Sequence, residues 1–320
     1  MIIRPPMLKS GDTFGIVTLG SPLDPVEIDE RIAFVKSHGF RVVIGDSVYA
    51  NDGYLAGTDQ NRAADLMRMY QNPAVNAILP VRGGVGVAGI LPYLDYGFIA
   101  EHPKIITGYS DITILLNVLN QLTEQITFHS LLLLDFRDST PAYNFEQFLS
   151  AVASTAAPRQ ILNPPEMPPM SGRVPGNVTG PLVGGNLTSF VGTLGTPYDI
   201  STKGKILFLE ETHEPVNTVF RYINHLKLAG KFDDCIGILI GECTNCTDEY
   251  GKTYEDLIVE SLIPLGKPLV TGLASGHGKY KAAIPIGAIV NLNAIDGTLT
   301  VMHPTVYDPT PKQPREPIRL

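Results

Sequence analysis

The chain has 320 residues and a formal net charge of −8, from 24 Lys and Arg against 32 Asp and Glu. This length is sufficient for two domains, and a hydrophobic fraction of 44% is sufficient for a core, which excludes a largely disordered chain. Because no run of Lys and Arg exceeds two residues, the sequence also lacks the basic surface that nucleic-acid binding requires.

The first half of the chain alternates between two hydrophobic periods. Short apolar runs predict strands, and apolar residues three or four apart predict helices. The predicted strands lie at 13–19, 40–44, 77–81 and 104–108, and the predicted helices at 25–38, 59–70 and 111–122. This alternation predicts an amino-terminal α/β domain, residues 1–155, with a parallel sheet covered on both faces. Ligands bind at the carboxyl ends of such strands, so the loops after Leu19, Val81 and Gly108 are candidate sites.

Residues 156–177 differ from the rest in their high proline content. Repeated prolines interrupt helices and strand ladders, so this segment is predicted to be an extended linker. Residues 178–320 are predicted to form a β-rich carboxyl-terminal domain with one clear helix at 216–229. The predicted strands of this domain lie at 205–209, 236–240, 268–273, 288–292 and 298–301.

The cysteines and the apolar runs bear on the location of the protein. The amino-terminal residues show no signal-peptide pattern, and no apolar stretch reaches the roughly 18 residues of a transmembrane helix. Three cysteines are too few for a disulfide framework, which favours a reducing compartment and structural or incidental thiols. A redox or metal role for the C-x-x-C pair Cys243 and Cys246 is the less favoured alternative. We therefore expect a cytoplasmic protein with no membrane partner.

The motif Gly108-Tyr-Ser-Asp111 places a serine between a predicted strand and a predicted helix. A serine in such a turn projects its hydroxyl above the sheet, and the next N–H can face a developing oxyanion. Ser110 is therefore a candidate nucleophile. The match to the G-x-S-x-G elbow is partial because Ile112 replaces the last glycine. The motif alone favours the alternative that Ser110 or Asp111 caps the helix.

A serine nucleophile requires a base and an acid that orients the base. His277 is a candidate base because Gly276 and Gly278 allow a sharp turn that exposes its imidazole. Glu210 and Glu211 end another apolar strand and are candidates for the acid, since a buried carboxylate needs a partner. The alternative is that one or both acids face solvent.

The motif Arg82-Gly-Gly-Val-Gly86 follows a predicted strand. It lacks the glycine spacing and the lysine of a nucleotide-binding loop, but an N–H of Gly83 or Gly84 could complete an oxyanion hole. Arg82 could clamp a substrate carboxylate or pair with a neighbouring Asp, and the sequence favours neither. No acidic or histidine cluster has metal-ligand spacing, so neither a metal nor a cofactor is predicted.

Six short motifs follow one another along nearly the whole chain. They are Arg82-Gly-Gly-Val-Gly86, Gly108-Tyr-Ser-Asp111, Gly184-Gly-Asn-Leu187, Gly195-Thr-Pro197, Leu207-Phe-Leu-Glu-Glu211 and Gly276-His-Gly278. This ordered set resembles the LD-carboxypeptidase family of serine peptidases, which includes the microcin C7 self-immunity proteins. The resemblance implies an amino-terminal α/β domain with a parallel sheet, a β-rich carboxyl-terminal domain and an active site between them.

The resemblance also implies roles for single residues. The family's Ser-Glu-His triad corresponds to Ser110, Glu210 and His277, and Glu210 is preferred to Glu211 because it matches the first acid of the family's motif. The implied oxyanion donors and substrate-binding residues are the N–H of Asp111, an N–H of Gly83 or Gly84, and the side chains of Arg82 and Asn186.

The family's reaction is hydrolysis of an amide that joins an L-centre to a D-residue. Its typical substrate is the murein tetrapeptide, which loses its terminal D-alanine during cell-wall recycling. We therefore expect a metal-independent serine carboxypeptidase that acts on small murein peptides. The alternatives are a self-immunity-type amidase acting on peptidyl or aminoacyl nucleotides and a non-catalytic two-domain protein that binds peptides. Members of the family tend to dimerise, which implies a homodimer.

Overall fold

The apolar runs of the first half form buried strands in the computed structural model, which describes residues 2–310, 318 and 320. The elements are β1 (Thr13–Val17), α1 (Pro25–Ser37), β2 (Arg41–Ile44), α2 (Asp59–Gln71), β3 (Ala77–Pro80), α3 (Tyr96–Glu101), β4 (Ile105–Gly108), α4 (Ile112–Thr123), β5 (Thr127–His129) and α5 (Ala142–Val152). The strands and helices predicted between residues 13 and 122 are thus confirmed to within two residues of their bounds.

The second half contains more strands than helices. Its elements are β6 (Arg159–Ile161), β7 (Ser171–Val174), β8 (Asn177–Asn186), α6 (Leu187–Val191), β9 (Ile206–Thr212), α7 (Val216–Leu228), α8 (Lys231–Asp234), β10 (Gly237–Thr244), α9 (Tyr254–Leu257), β11 (Leu269–Leu273), β12 (Ile284–Ile286), β13 (Ile289–Asn293) and β14 (Thr298–Val301). Short 3₁₀ or π turns occupy Val87–Tyr93, Leu133–Asp135, Ile258–Leu262 and Ile263–Leu265.

The first of two compact units comprises Met1–Thr155, Ala283–Pro285 and Pro304–Leu320. Its six-stranded sheet has the order β12-β5-β4-β3-β1-β2, and β1 to β5 pair in parallel. The sheet is therefore the predicted parallel one. Because β1, β3 and β4 are neighbours that run in the same direction, the loops that follow them leave from one edge of the sheet.

The second unit comprises Ala156–Ala282 and Ile286–His303. Its eight-stranded sheet has the order β6-β14-β13-β8-β9-β10-β11-β7. The central strands β8 to β11 are parallel, and the outer strands pair antiparallel. Helix α7 buries Val219, Ile223 and Leu226 in a cluster with Leu207 and Leu209 of β9. The β-rich domain is thus a mixed α/β unit whose sheet has a parallel centre.

Two of the predicted segment boundaries differ from the structure. The proline-rich segment belongs to the second unit, where β6 and β7 form the two edges of the sheet. Edge strands tolerate nearby prolines because one side of an edge strand needs no ladder hydrogen bonds. The chain also returns to the first unit at Pro304, where the Thr305 hydroxyl donates to Ala151 O at 2.7 Å.

The cysteines also differ from the expectation of free thiols. Cys243 and Cys246 form a disulfide with their Cα atoms 5.5 Å apart, and Cys235 is a buried free cysteine. Thr244 ends β10 and Asn245, at a φ of +55°, turns the chain, which brings Cys246 back to Cys243. Within residues 2–310, no helix has the length and apolar character needed to cross a membrane.

Candidate active site

Ser110 occupies the turn between β4 and α4, as the sequence predicted. Its φ angle is +62°, in the left-handed region that is unfavourable for a residue with a Cβ atom. The Thr113 N–H donates to Ser110 O at 2.9 Å, which holds the turn closed. Unfavourable backbone conformations of this kind cluster at functional sites. The conformation therefore favours the nucleophile hypothesis over the helix-cap alternative.

The glycine-rich loop, residues 83–86, follows β3 and lies against Ser110. A Cβ atom at Gly83 would be 2.6 Å from Ser110 Cβ and 2.9 Å from Ser110 Oγ, so a side chain there would displace the serine. Gly84 has a φ of +85°, and a Cβ there would overlap the Ser21 hydroxyl. The absence of side chains thus lets the backbone of the loop approach the serine hydroxyl, as an oxyanion hole requires.

Hydrogen bonds from two sides fix the glycine-rich loop. On one side, Ser21 N–H donates to Gly83 O and Val85 N–H donates to Ser21 Oγ, both at 3.1 Å. On the other side, Val87 N–H donates to Asp111 Oδ2 at 2.8 Å. Within the described residues, the Asp111 carboxylate makes no capping bond to α4. The side chain of Asp111 thus links the serine turn to the loop instead of capping the helix.

Arg82 lies half-buried at the start of the same loop. Its Nη1 donates to Pro22 O at 3.5 Å, and no carboxylate of the described residues lies within ion-pair distance of its guanidinium. Of the two roles left open by the sequence, pairing with an Asp of the protein is therefore disfavoured. A guanidinium with donors to spare suits the carboxylate of a ligand.

Glu210 and His277 are in contact in the second unit. His277 Nδ1 and Glu210 Oε2 are 3.0 Å apart, and the Glu210 side chain has no exposed surface. When the Glu210 carboxylate is ionised it can only accept this hydrogen bond, so Nδ1 is then the donor and Nε2 is left with the lone pair. A histidine held in this tautomer by a buried acid can act as a general base.

The glycines on either side of His277 make room for two carboxylates. A Cβ at Gly276, where φ is +77°, would overlap the Glu210 carboxylate, and a Cβ at Gly278 would overlap the Glu242 carboxylate. In the sequence, the turn alone explains these glycines. The close approach of the two acids is a second reason why glycine is needed at these positions. This approach depends on the packing of β9 and β10 against the histidine turn, which the sequence does not show.

Glu211 faces other partners than Glu210, because adjacent residues of a strand point to opposite faces. It accepts hydrogen bonds from Thr188 N and Oγ1, Thr212 N and Asn186 Nδ2, at 2.6–2.9 Å. Burial is the main cause that raises the pKa of Glu211, and these donors oppose the rise. Asn186 Oδ1 accepts from Ser189 N at 3.0 Å, so both ends of this amide have partners in the protein. This favours a structural role for Asn186 over substrate binding.

Glu242 is a buried acid beside Gly278 of the histidine turn, and its position was not predicted from the sequence. Burial raises its pKa, the nearby Lys281 opposes the rise, and its Oε2 is buried with no hydrogen-bond partner among the described residues. The available signal was an acid near the end of an apolar strand, the pattern that identified Glu210. Within the described part of the chain, no group of three or more His, Cys, Asp or Glu side chains could hold a metal ion.

Comparison with known protein families assigns both halves of the chain. A family model described as the LD-carboxypeptidase N-terminal domain matches residues 14–130, and one described as the LD-carboxypeptidase C-terminal domain matches residues 179–292. The chain belongs to the LD-carboxypeptidase family. It is therefore a peptidase of the hydrolase class, and Ser110, Glu210 and His277 lie within the matched segments.

Relatives in this family carry two kinds of names. The chain is 35% identical to a probable murein peptide carboxypeptidase of Bacillus subtilis, over 93% of this chain and 94% of that protein. It is 30% identical to the murein tetrapeptide carboxypeptidase of Pseudomonas aeruginosa, over 85% and 91%. A solved structure of the microcin C7 self-immunity protein MccF with aspartyl sulfamoyl adenosine superposes with a TM-score of 0.87 at 25% identity, covering 95% of this chain and 100% of that one.

Proposed function

We propose that this LD-carboxypeptidase family member removes the terminal D-alanine from murein tetrapeptides through Ser110, His277 and Glu210. The observation that carries the proposal is the left-handed backbone of Ser110 beside a loop whose Gly83 cannot bear a side chain. The hydrogen bond between Glu210 and His277 supports the base, and the names of the Bacillus and Pseudomonas relatives support the substrate.

The reaction proceeds by acyl transfer in two stages. Ser110 Oγ bonds to the scissile carbonyl carbon while its proton passes to His277 Nε2. The N–H of Asp111 and an N–H of Gly83 or Gly84 stabilise the oxyanion. Collapse of this intermediate breaks the amide bond, and His277 gives its proton to the leaving amine of D-alanine. Water then hydrolyses the acyl-serine ester by the same route, and the shortened peptide leaves with a new carboxylate.

Arg82 supplies the preference for a carboxyl-terminal residue in this proposal. A carboxypeptidase must recognise the free carboxylate of the residue that it removes. The Arg82 guanidinium is half-buried at the start of the loop that contacts Ser110, and one of its nitrogens donates to Pro22 O. Its remaining donors suit a carboxylate held by two parallel hydrogen bonds.

The cellular setting is part of the same proposal. The resemblance to murein-recycling enzymes favours action in the cytoplasm on small peptides, without a cofactor, and the family's tendency to dimerise favours a homodimer. Light scattering coupled to gel filtration tests the homodimer directly, since a mass close to that of one chain would contradict it.

The second candidate function is hydrolysis of an aminoacyl or peptidyl nucleotide. The superposition on MccF bound to aspartyl sulfamoyl adenosine favours it, because the two chains share their fold over almost their whole lengths. Both candidates use an attack on a carbonyl carbon that is bonded to nitrogen. The leaving group is the amine of D-alanine in the first candidate and the nucleoside sulfamate in aspartyl sulfamoyl adenosine, so the two differ in the ligand that the site accepts rather than in the attack itself.

Mass spectrometry separates these candidates. The purified protein is incubated with murein tetrapeptide and, separately, with aspartyl sulfamoyl adenosine, and the masses of the products are recorded. We expect the tetrapeptide to lose one alanine and the nucleotide analogue to remain intact. Cleavage of the analogue alone would establish the second candidate.

The Ser110→Ala variant is the matched control for this experiment. It should lower kcat by about 10³- to 10⁶-fold, because it removes the nucleophile and leaves the binding groups in place. If the wild-type protein binds the tetrapeptide tightly and converts neither compound, the protein is a binding protein and the catalytic proposal is wrong.

A further inference from the structure

Arg62 on α2 is a buried cation that the proposed reaction does not use. Its side chain has no exposed surface, and it is among the largest fully buried side chains of the protein. Nη1 donates to Leu19 O and, at 2.9 Å, to Gly86 O, while Nε donates to Gly57 O at 3.3 Å. Nη2 pairs with Asp59 on the same helix. One guanidinium thus joins three loops of the first unit.

The stability of the fold does not by itself explain this arrangement. Burial lowers the pKa of Arg62, which means that burial disfavours the charged form, although Asp59 and Asp111 oppose the shift. Its ion-pair partner Asp59 is 41% exposed, so this pair offsets little of the cost of removing the guanidinium from water. An arginine does, however, hold several acceptors in fixed directions, because its donors lie in one rigid plane.

Two of these acceptors lead directly to the residues around Ser110. Gly86 ends the glycine-rich loop, and the next N–H, from Val87, is bonded to the Asp111 carboxylate. Leu19 precedes Gly20, at which a Cβ atom would overlap Gly83 O. The guanidinium therefore fixes one end of the glycine-rich loop and the segment that packs against its other end.

We propose that Arg62 is a positioning residue that holds the glycine-rich loop, and with it the oxyanion donor of Gly83 or Gly84, in place beside Ser110. This inference rests on the proposed serine mechanism. Oxyanion donors act only when they lie within hydrogen-bond distance of the developing charge. Small displacements of the loop should therefore affect the transition state far more than the binding of the substrate.

Lys104 provides a matched control in the same unit. It is also a buried cation that donates to three backbone carbonyl oxygens, those of Met69, Asn72 and Val75, at 2.5–2.9 Å. It directly precedes β4, whereas Ser110 follows the other end of that strand. Lys104→Met removes the donor to these three carbonyl oxygens, so it should lower the stability of the protein. It should not move the glycine-rich loop.

The experiment compares Arg62→Met with Lys104→Met by two readouts. The first is kcat and KM for release of D-alanine from murein tetrapeptide. The second is the rate at which an alkyl fluorophosphonate labels Ser110, a reaction in which Oγ bonds to phosphorus, fluoride leaves and the hydroxyl proton is lost. The phosphonyl oxygen requires the same donors as the oxyanion. Tm of each variant reports on the fold.

For Arg62→Met we expect kcat and the labelling rate to fall by about 10²-fold with KM unchanged, the size of loss typical of a misplaced catalytic group. For Lys104→Met we expect a lower Tm with both rates unchanged. If Arg62→Met shows a lower Tm and wild-type rates, like Lys104→Met, then Arg62 is only structural and the inference is wrong.

A second variant covers the case in which Arg62→Met does not fold. Arg62→Lys keeps the charge, but its one nitrogen cannot replace the donors of Nε, Nη1 and Nη2 together. It therefore cannot keep the bonds to Gly57 O, Leu19 O, Gly86 O and Asp59 all at once, or hold them in the fixed plane of the guanidinium. It should show a smaller loss of kcat in the same direction, and wild-type rates in this variant would contradict the inference. If Ser110 of the wild-type protein is neither labelled nor active on the tetrapeptide, the proposed function itself has failed.

Discussion

The Ser110 turn and the Glu210–His277 pair are built in different ways. In the first unit, backbone geometry makes the site, because Ser110 has a φ of +62° and Gly83 approaches it without a side chain. In the second unit, side chains make the site, because a fully buried carboxylate holds an imidazole at 3.0 Å. Both arise at the carboxyl ends of parallel strands. The comparison indicates that glycine substitutions should disturb the first region most and isosteric charge changes the second.

Glu210→Gln should have the largest effect in this comparison. The variant keeps the shape of the side chain but removes the charge that holds the His277 tautomer, so kcat should fall by about 10⁴-fold, as in other triads. Glu211→Gln is the matched control, because Glu211 is held by donors other than His277. Steady-state kinetics on murein tetrapeptide measure both. If Glu211→Gln is inactive and Glu210→Gln is active, the orienting acid is Glu211 and not Glu210.

Gly83→Ala should test the backbone side of the comparison. The new Cβ would lie 2.6 Å from Ser110 Cβ, so either the serine or the loop must move, and kcat should fall by about 10²-fold. Gly97→Ala is the control, since a Cβ there would meet only Asp95 Oδ1 at 3.4 Å. Steady-state kinetics give kcat of both variants, and a lower kcat for Gly83→Ala alone would support contact between the loop and the reacting serine. Equal rates would mean that the loop does not contact the reacting serine in solution.

Ser110→Gly should relieve the backbone strain of the serine turn, and the relief should appear as a higher free energy of unfolding than that of Ser110→Ala. Glycine adopts a φ of +62° without a Cβ clash, so this variant should be about 1 kcal/mol more stable than Ser110→Ala. The reverse order is expected at Ser150 in α5, where glycine weakens a helix relative to alanine. Urea denaturation of the four variants gives the free energies of unfolding. Greater stability of the alanine variant at both positions would remove the strain argument.

The pH dependence of stability should show the smallest effect. Because burial raises the pKa of Glu211, the folded state holds a proton there more tightly than the unfolded state. This contribution is present below the ordinary carboxyl pKa and is lost as the pH rises through the raised pKa. The free energy of unfolding should therefore fall less steeply with rising pH in Glu211→Gln than in the wild-type protein.

Glu255→Gln provides a control of opposite sign for the pH experiment. The Arg173 guanidinium lowers the pKa of Glu255, so this group stabilises the fold above the ordinary carboxyl pKa and loses its effect as the pH falls. Its effect should be small because the Glu255 side chain is largely exposed. Urea denaturation between pH 4 and pH 8 measures both slopes. Parallel curves for the wild-type protein and Glu211→Gln would contradict the Glu211 prediction.

Local patterns were sufficient to predict most of the fold. Apolar runs and helical spacing lie within short windows, so they predicted β1 to β4 and α1, α2 and α4 with accurate bounds. The proline-rich segment was wrongly predicted as a linker, because its strands occupy short proline-free stretches at the sheet edges. The return of the chain to the first unit at Pro304 depends on contacts with residues about 150 positions earlier, such as Ala151, which no local pattern contains.

The sequence by itself determined which residues could do the chemistry. A serine after a strand-ending glycine, a histidine between glycines and an acid at the end of an apolar strand are recognisable because strand ends and flexible turns expose reactive groups. The sequence could not decide between Glu210 and Glu211 from their own pattern, and it gave Arg62 and Glu242 no role. The tertiary structure shows which acid contacts His277 and which charges are buried, because neighbouring strand residues face opposite sides and only packing determines which side meets His277.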